Sequence, residues 1–172
     1  SQASDLALPD DVLERAKLHI LDTFGAMVSG SELPAGQAAK RFARAYGGKE
    51  VSTIVADTIL CGPIEAALAN AVMAHADESD DHMMGIGYHP GNSAVPAALA
   101  VGEQFNASGM HFLRAVVLGY DVGARVLRAR QYLLRAHVPG RARHRTGQRG
   151  RLVRRHGGNH LGRRGAGCGR GP

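Results

Sequence analysis

Seven residues between His75 and His89 carry the densest ionisable chemistry of this sequence: His75, Asp77, Glu78, Asp80, Asp81, His82 and His89. Carboxylates and imidazoles crowded together shift one another's affinity for protons. Groups with separated proton affinities are what general acid/base catalysis requires. The seven residues, Glu78, Asp81, His82 and His89 among them, are therefore candidates for proton transfer. His89 is followed by Pro90-Gly91 and by a helix opening near Asn92 or Ser93. The unpaired N–H groups of a helix start can hold an anion, so Gly91, Asn92 and Ser93, with Asp80 beside them, form the candidate substrate-binding set. The alternative for Asp77 and Asp80 is a solvated acidic helix end.

A metal site is the rival reading for His75, His82 and His89 with Asp81, since imidazole and carboxylate are good ligands. The seven-residue step from His75 to His82 is not the four-residue step of an HExxH helix, and the expectation is no metal. His75 then serves the structure, packing or hydrogen-bonding behind Glu78. His19 and His111 fall in helices away from the run and read as surface or satisfied core residues.

The elements that must position this run are helical. Val12, Leu13, Ala16, Ile20, Leu21, Phe24 and Met27 recur at three and four, with Pro9 opening the helix and Asp10 and Asp11 in its first turn, so a helix is expected from Pro9 to Val28. A second is expected over Pro34–Tyr46, with Ala38, Ala39, Phe42, Ala43 and Tyr46 on one face and Gly47-Gly48 ending it. Val51 to Val55 reads as a short strand or an extended connection. A third helix runs from Pro63 to about Ala76 and is rich in alanine, which lets neighbours approach on more than one side. Ala94–Phe105, with Pro96 in its first turn, and a long helix from an N-cap at Ser108 to Leu134 complete the pattern. Gly25, Gly119 and Gly123 are expected to permit close helix contacts. The fold class is all-α, an Ala-rich helical bundle over residues 1–136.

The net charge of +6 joins two unlike parts. Residues 1–127 hold eight Lys or Arg against all fifteen acids, a net of −7, while residues 128–172 hold thirteen Arg and no acid. Residues 137–172 form an Arg/Gly-rich tail with too few aliphatic side chains for a core, and read as disordered or as out-of-frame sequence. A nucleic-acid-binding protein using this tail is the alternative function, but the stretch lacks the aromatic side chains that stack on bases. A GC-rich gene read out of frame gives the same Arg, Gly, His and Pro bias. Two cysteines make no CxxC pair or disulfide framework, which fits a reducing cytoplasm. No apolar run reaches the length of a membrane span.

The run Ala74-His75-Ala76-Asp77-Glu78-Ser79-Asp80-Asp81, followed by His89-Pro90-Gly91 and Val95-Pro96-Ala97-Ala98-Leu99-Ala100, resembles the signature of the MmgE/PrpD family, which includes 2-methylcitrate dehydratase, cis-aconitate decarboxylase and an epimerase. Leu8-Pro9-Asp10-Asp11-Val12 to Leu21-Asp22-Thr23-Phe24-Gly25 is similar to the family's first helix. The resemblance covers about residues 5–135 and implies the first part of a large helical domain, whose smaller α/β companion comes from later sequence. By position, Glu78 matches a catalytic-site carboxylate that is usually Asp in the decarboxylase branch, His89 matches the active-site histidine, and His82 stands where that branch has Thr. These substitutions argue against simple cis-aconitate decarboxylation. The resemblance implies a lyase (dehydratase or decarboxylase) or isomerase that abstracts a proton beside a carboxylate of a small di- or tricarboxylate, with no cofactor, as a homodimer. Further family site residues, a second His, a Lys and a Tyr, fall at and beyond the change of composition, where His144 is a remnant at most. The chain is accordingly expected to be catalytically incomplete.

Overall fold

A computed structural model describes residues 7–137. The Arg/Gly-rich tail, with His144 and the proposed change of frame, lies outside the described residues. Five helices are described: α1 (Asp10–Gly30), α2 (Pro34–Tyr46), α3 (Pro63–Ala74), α4 (Gly91–Gln104) and α5 (Gly109–His137), with β1 (Ser52–Thr53) and β2 (Leu60–Cys61) between α2 and α3. The fold is all-α, as the periodicity indicates, and the two short strands form a minor antiparallel hairpin. Among the described residues, no helix is long and apolar enough to cross a membrane.

Helix starts follow local chemistry. Pro34 and Pro63 occupy the first position of α2 and α3, where a missing N–H costs nothing. Pro9 sits one residue outside α1 as its cap, not inside it. Ser108 caps α5 by accepting the His111 N–H at 3.3 Å. α4 begins at Gly91, just before the start expected near Asn92 or Ser93 and three residues before the regular apolar pattern from Ala94, because Pro90 already has helical dihedrals and its carbonyl accepts the N–H groups of Ser93 and Ala94.

α3 is the hub and packs against α1, α2 and α4, as its alanine content implies. The core is built from small and flexible side chains, including Met27, Ala43, Ala66, Ala69, Met73 and Val95. Buried Asn70 on α3 ties in the hairpin: its Oδ1 accepts the Val55 N–H at 2.9 Å and its Nδ2 donates to the Thr53 carbonyl at 2.9 Å. Ser52 and Thr53 bond across to Ala100 and Glu103 of α4, so the strands brace α3 against α4. Nothing in the periodicity of the sequence foretells β2.

The buried helix faces agree with the expected ones at Ala16, Ile20, Phe24 and Met27 of α1 and at Ala39 and Ala43 of α2, and differ at their edges. On α1 the buried line is Ala16, Thr23, Ala26, Met27 and Gly30, while Leu21 is 69% exposed. On α2, Phe42 and Tyr46 stack on each other at the surface, with ring centroids 4.8 Å apart, and Lys40 lies inward beside Asp57 at 3.6 Å. Close helix approach selects the smallest side chains for the contact and turns the larger ones outward. Gly30 is the tightest case: a Cβ there would overlap the Met73 carbonyl of α3. Gly119 and Gly123 do lie at close contacts, against Ala94 and Tyr88, but a Cβ on Gly25 would meet nothing, so that glycine serves no helix contact. Gly30→Ala is expected to destabilise the fold by about 2 kcal/mol through overpacking. Gly25→Ala should stabilise it by up to about 1 kcal/mol through helix propensity. Urea unfolding followed by circular dichroism reads both.

Candidate active site

The chemistry-bearing run lies between the end of α3 and the start of α4, and the fold uses its two central aspartates in different ways. Asp80 is buried, its side chain wholly so. One carboxylate oxygen, Oδ1, lies 3.0 Å from His75 Nδ1 and 3.4 Å from His89 Nδ1, and the other accepts the Asn92 side-chain amide at 2.9 Å. The His75 and His89 rings meet edge to face with centroids 5.0 Å apart. His89 Nδ1 is itself buried, and it approaches Asp80 without hydrogen-bond geometry. His82 is exposed, with its ring centroid 4.9 Å from that of His89. The structure thus gathers His75, Asp80, His89 and Asn92, with His82 at the edge.

Asp81 points the other way, into the protein. Its Oδ1 accepts the Gly91 N–H at 2.8 Å, and its Oδ2 accepts the Tyr120 hydroxyl at 2.7 Å and lies 3.2 Å from His19 Nδ1. The anion at the α4 N-terminus is therefore the protein's own Asp81, which stabilises the positive end of the helix dipole. Gly91 is buried and must be glycine, because a Cβ would fall 2.5 Å from Thr23 Oγ1 and 2.6 Å from Asp81 Oδ1. Of the expected substrate-binding set, Gly91 spends its N–H on Asp81 and Asn92 spends its side chain on Asp80. Ser93 is exposed and donates its hydroxyl to the Pro90 carbonyl at 3.2 Å.

The loop that delivers His89 is folded back on itself. Met83 pairs with Tyr88, whose carbonyl accepts the Met83 N–H at 2.7 Å, and Gly85 and Gly87 turn the chain with positive φ. Tyr88 packs over Gly123 of α5, and the Gln131 side chain reaches the Gly85 carbonyl at 3.3 Å. Position and angle of His89 are thus fixed from both sides, by α5 and by the Asp81 clamp.

Glu78 is exposed, makes no hydrogen bond or ion pair through its side chain, and has φ +54. A non-glycine residue in that left-handed region costs about 1–2 kcal/mol. The strained residue lies three positions after His75, whose carbonyl accepts the Glu78 N–H at 3.4 Å, and such strain often collects in functional sites. Glu78→Gly is expected to raise stability by about 1 kcal/mol in urea unfolding while removing the carboxylate. Asp77 is solvent-facing. Its carboxyl is held below the usual range by the Ser29 hydroxyl at 2.6 Å, then by the Ser79 hydroxyl and N–H.

Three residues of this arrangement were not legible as site residues. His19 belongs to it, contrary to its expected place away from the run, because α1 crosses α5 and brings its ring within 5.2 Å of Tyr120. His19 and Thr23 are four apart and so share a side of α1, which was the available signal. His111 stays outside, bonded to Ser108 at 3.0 Å. Tyr120 is the third. Burial, then its hydrogen bond to the Asp81 carboxylate and that carboxylate's charge, push its phenol well above the ordinary range. Protonated Tyr120 therefore contributes stability that is fully present below the ordinary phenol value of about 10 and is lost only as pH rises through the higher folded-state value. Tyrosinate absorbance in an alkaline titration should show a late-titrating phase that is absent from Tyr120→Phe.

The profile of the MmgE/PrpD N-terminal domain matches residues 3–147. The chain is 30% identical over 126 residues to cis-aconitate decarboxylase-like protein oryM of Aspergillus oryzae, covering 69% of this chain and 26% of that protein. It is 28% identical over 135 residues to cis-aconitate decarboxylase of Aspergillus terreus, covering 74% and 28%. The human cis-aconitate decarboxylase is 30% identical over 125 residues, covering 70% and 26%. The chain thus spans about a quarter of the length of the curated relatives it matches. No solved structure gives a significant match. Matched over most of its length by the family's N-terminal profile, a match that includes the histidine–aspartate run between α3 and α4, this chain belongs to the MmgE/PrpD family.

Proposed function

We propose that these residues form the proton-transfer part of a lyase or isomerase site for a small di- or tricarboxylate. The observation that carries the reading is buried Asp80 between His75 and His89, with the unpaired Glu78 carboxylate close by in sequence on a strained backbone. A carboxylate against an imidazole orients the ring and offers a negative charge to its protonated form. His89 and Glu78 would divide the work: one takes the proton from the carbon next to a substrate carboxylate, and the other returns a proton or assists loss of water or CO2. His82 adds a third exchangeable group at the edge. The names of the relatives point to cis-aconitate as the first tricarboxylate to try, though Glu78 and His82 replace residues of the decarboxylase branch.

Completing the reaction would take groups from the three quarters of the relatives' length that this chain does not span. A homodimer is the proposed assembly, and exposed Leu18, Leu21 and Val28 along α1 offer apolar area for it. The test is incubation of the chain with cis-aconitate in deuterated water. Slow deuterium entry next to a carboxylate, with CO2 loss and hydration below detection, is the expected result. No exchange and no binding would remove the proton-transfer reading, and rapid decarboxylation would remove the incomplete-site reading.

A further inference from the structure

The geometry points to a binding site for a divalent transition-metal ion, of the zinc or cobalt class, formed by His75 Nδ1, His89 Nδ1 and an Asp80 carboxylate oxygen. These three residues offer ligand atoms that all lie within 4.8 Å of one another. The two distances to Asp80 Oδ1 are 3.0 and 3.4 Å. Zinc bonds to imidazole nitrogen and carboxylate oxygen at about 2.0–2.1 Å, which sets the edge of a ligand tetrahedron at about 3.3 Å. Both distances are therefore within a few tenths of an ångström of the spacing a bound ion imposes. The nitrogen-to-nitrogen separation falls within the same 4.8 Å, and the His75 side chain is 45% exposed, which leaves its outer face open to solvent.

Three further observations favour an ion here over an accidental cluster. His89 Nδ1 is buried and makes no hydrogen bond, although polar atoms in such surroundings normally have a partner. Asp80 is a fully buried carboxylate whose neighbours on one oxygen are two ring nitrogens, which is costly to desolvate unless cationic charge is supplied. The second oxygen is fixed by the Asn92 amide at 2.9 Å, the outer-shell bond that commonly orients a ligating carboxylate. The sequence reading named Asp81 and His82 for such a set. The fold excludes Asp81, whose oxygens are taken by Gly91, Tyr120 and His19, and puts Asp80 in its place. His82 stays at the rim, beside His89.

Three protein ligands leave coordination positions open, so the ion would sit where a carboxylate ligand could reach it. Because it would occupy His89 Nδ1 and Asp80, it would also take these groups out of proton transfer. The site does not depend on the proposed lyase activity, since metal binding is measurable in a chain that turns over nothing.

The test is titration of the intact chain with Co2+, read by its visible d–d absorption, followed by displacement with Zn2+. The tail holds His144, His156 and His160, so variants must locate the ion. Expected are a Co2+ spectrum with nitrogen and oxygen ligation that Zn2+ abolishes, and its loss in His75→Ala, His89→Ala and Asp80→Asn, each retaining wild-type helical circular dichroism. Asn92→Ala should weaken binding by about 10- to 100-fold, the usual cost of an outer-shell partner, and His111→Ala should leave it unchanged. Should Asp80→Asn misfold, His75→Ala, which alters the half-exposed ring, still decides. A spectrum that persists unchanged in His75→Ala and His89→Ala, or no spectrum at millimolar Co2+, overturns the proposal.

Discussion

His89→Ala is expected to lower the rate of deuterium entry next to the substrate carboxylate by about 10²- to 10⁴-fold, the range a positioned acid/base group contributes. The size follows from how the ring is held. Tyr88 is seated on Gly123, Pro90 opens α4, and Asp80 lies 3.4 Å from His89 Nδ1, so the ring is placed by three separate elements. A residue placed that firmly contributes orientation as well as basicity. His89→Gln, which keeps hydrogen bonding but not the imidazole's proton chemistry, should fall in the same range. His111→Ala, on the far side of the α5 cap, should leave the rate unchanged. Exchange followed by NMR in deuterated water gives all three rates. An exchange rate within a factor of two of wild type in His89→Ala would take that residue out of the chemistry.

The second large effect is on stability. Asp81→Ala removes the acceptor of both the Gly91 N–H and the Tyr120 hydroxyl and leaves these two donors unsatisfied at the α1, α4 and α5 junction. Hydrogen bonds to a charged group contribute about 1.5–3 kcal/mol each, and an orphaned buried donor costs a similar amount. The expected loss is about 3–4 kcal/mol, a large part of the 5–15 kcal/mol of an ordinary domain. Tyr120→Phe loses one of the two bonds and should cost about 1–2 kcal/mol. Urea midpoints from circular dichroism separate the two variants. If Asp81→Ala unfolds at the wild-type midpoint, the clamp is not what sets the α4 N-terminus.

How much of this was legible in the sequence depended on which signal each feature leaves. Helix existence was, because period and proline punctuation are local: α2 spans Pro34–Tyr46 as expected. The buried side of α1 was legible at Ala16, Ile20, Phe24 and Met27 but not at its edge, because apolar content points to Leu21 whereas the fold buries Thr23, Ala26 and Gly30 to reach α3. The rule that larger apolar residues go inside fails where backbones approach closely. The run from His75 to His89 was legible as a cluster of ionisable groups from residue types alone. The division of labour between Asp80 and Asp81 was not, since adjacent residues differ only in which way the chain carries them. One faces the histidines and the other faces Gly91 and Tyr120, 39 positions away. His19 was missed for the same reason, its role depending on a helix crossing.

The reading of the site is tested most directly by the ring resonances of the histidines, observed by nitrogen- and carbon-edited NMR as a tricarboxylate is added. The account predicts saturable shifts at His75, His82 and His89 and at the Asn92 side-chain amide, which persist when residues 138–172 are removed and are lost in His89→Ala. Shifts confined to the arginine-rich tail, or an unchanged set of rings in the His75 to His89 segment at saturating ligand, would contradict it.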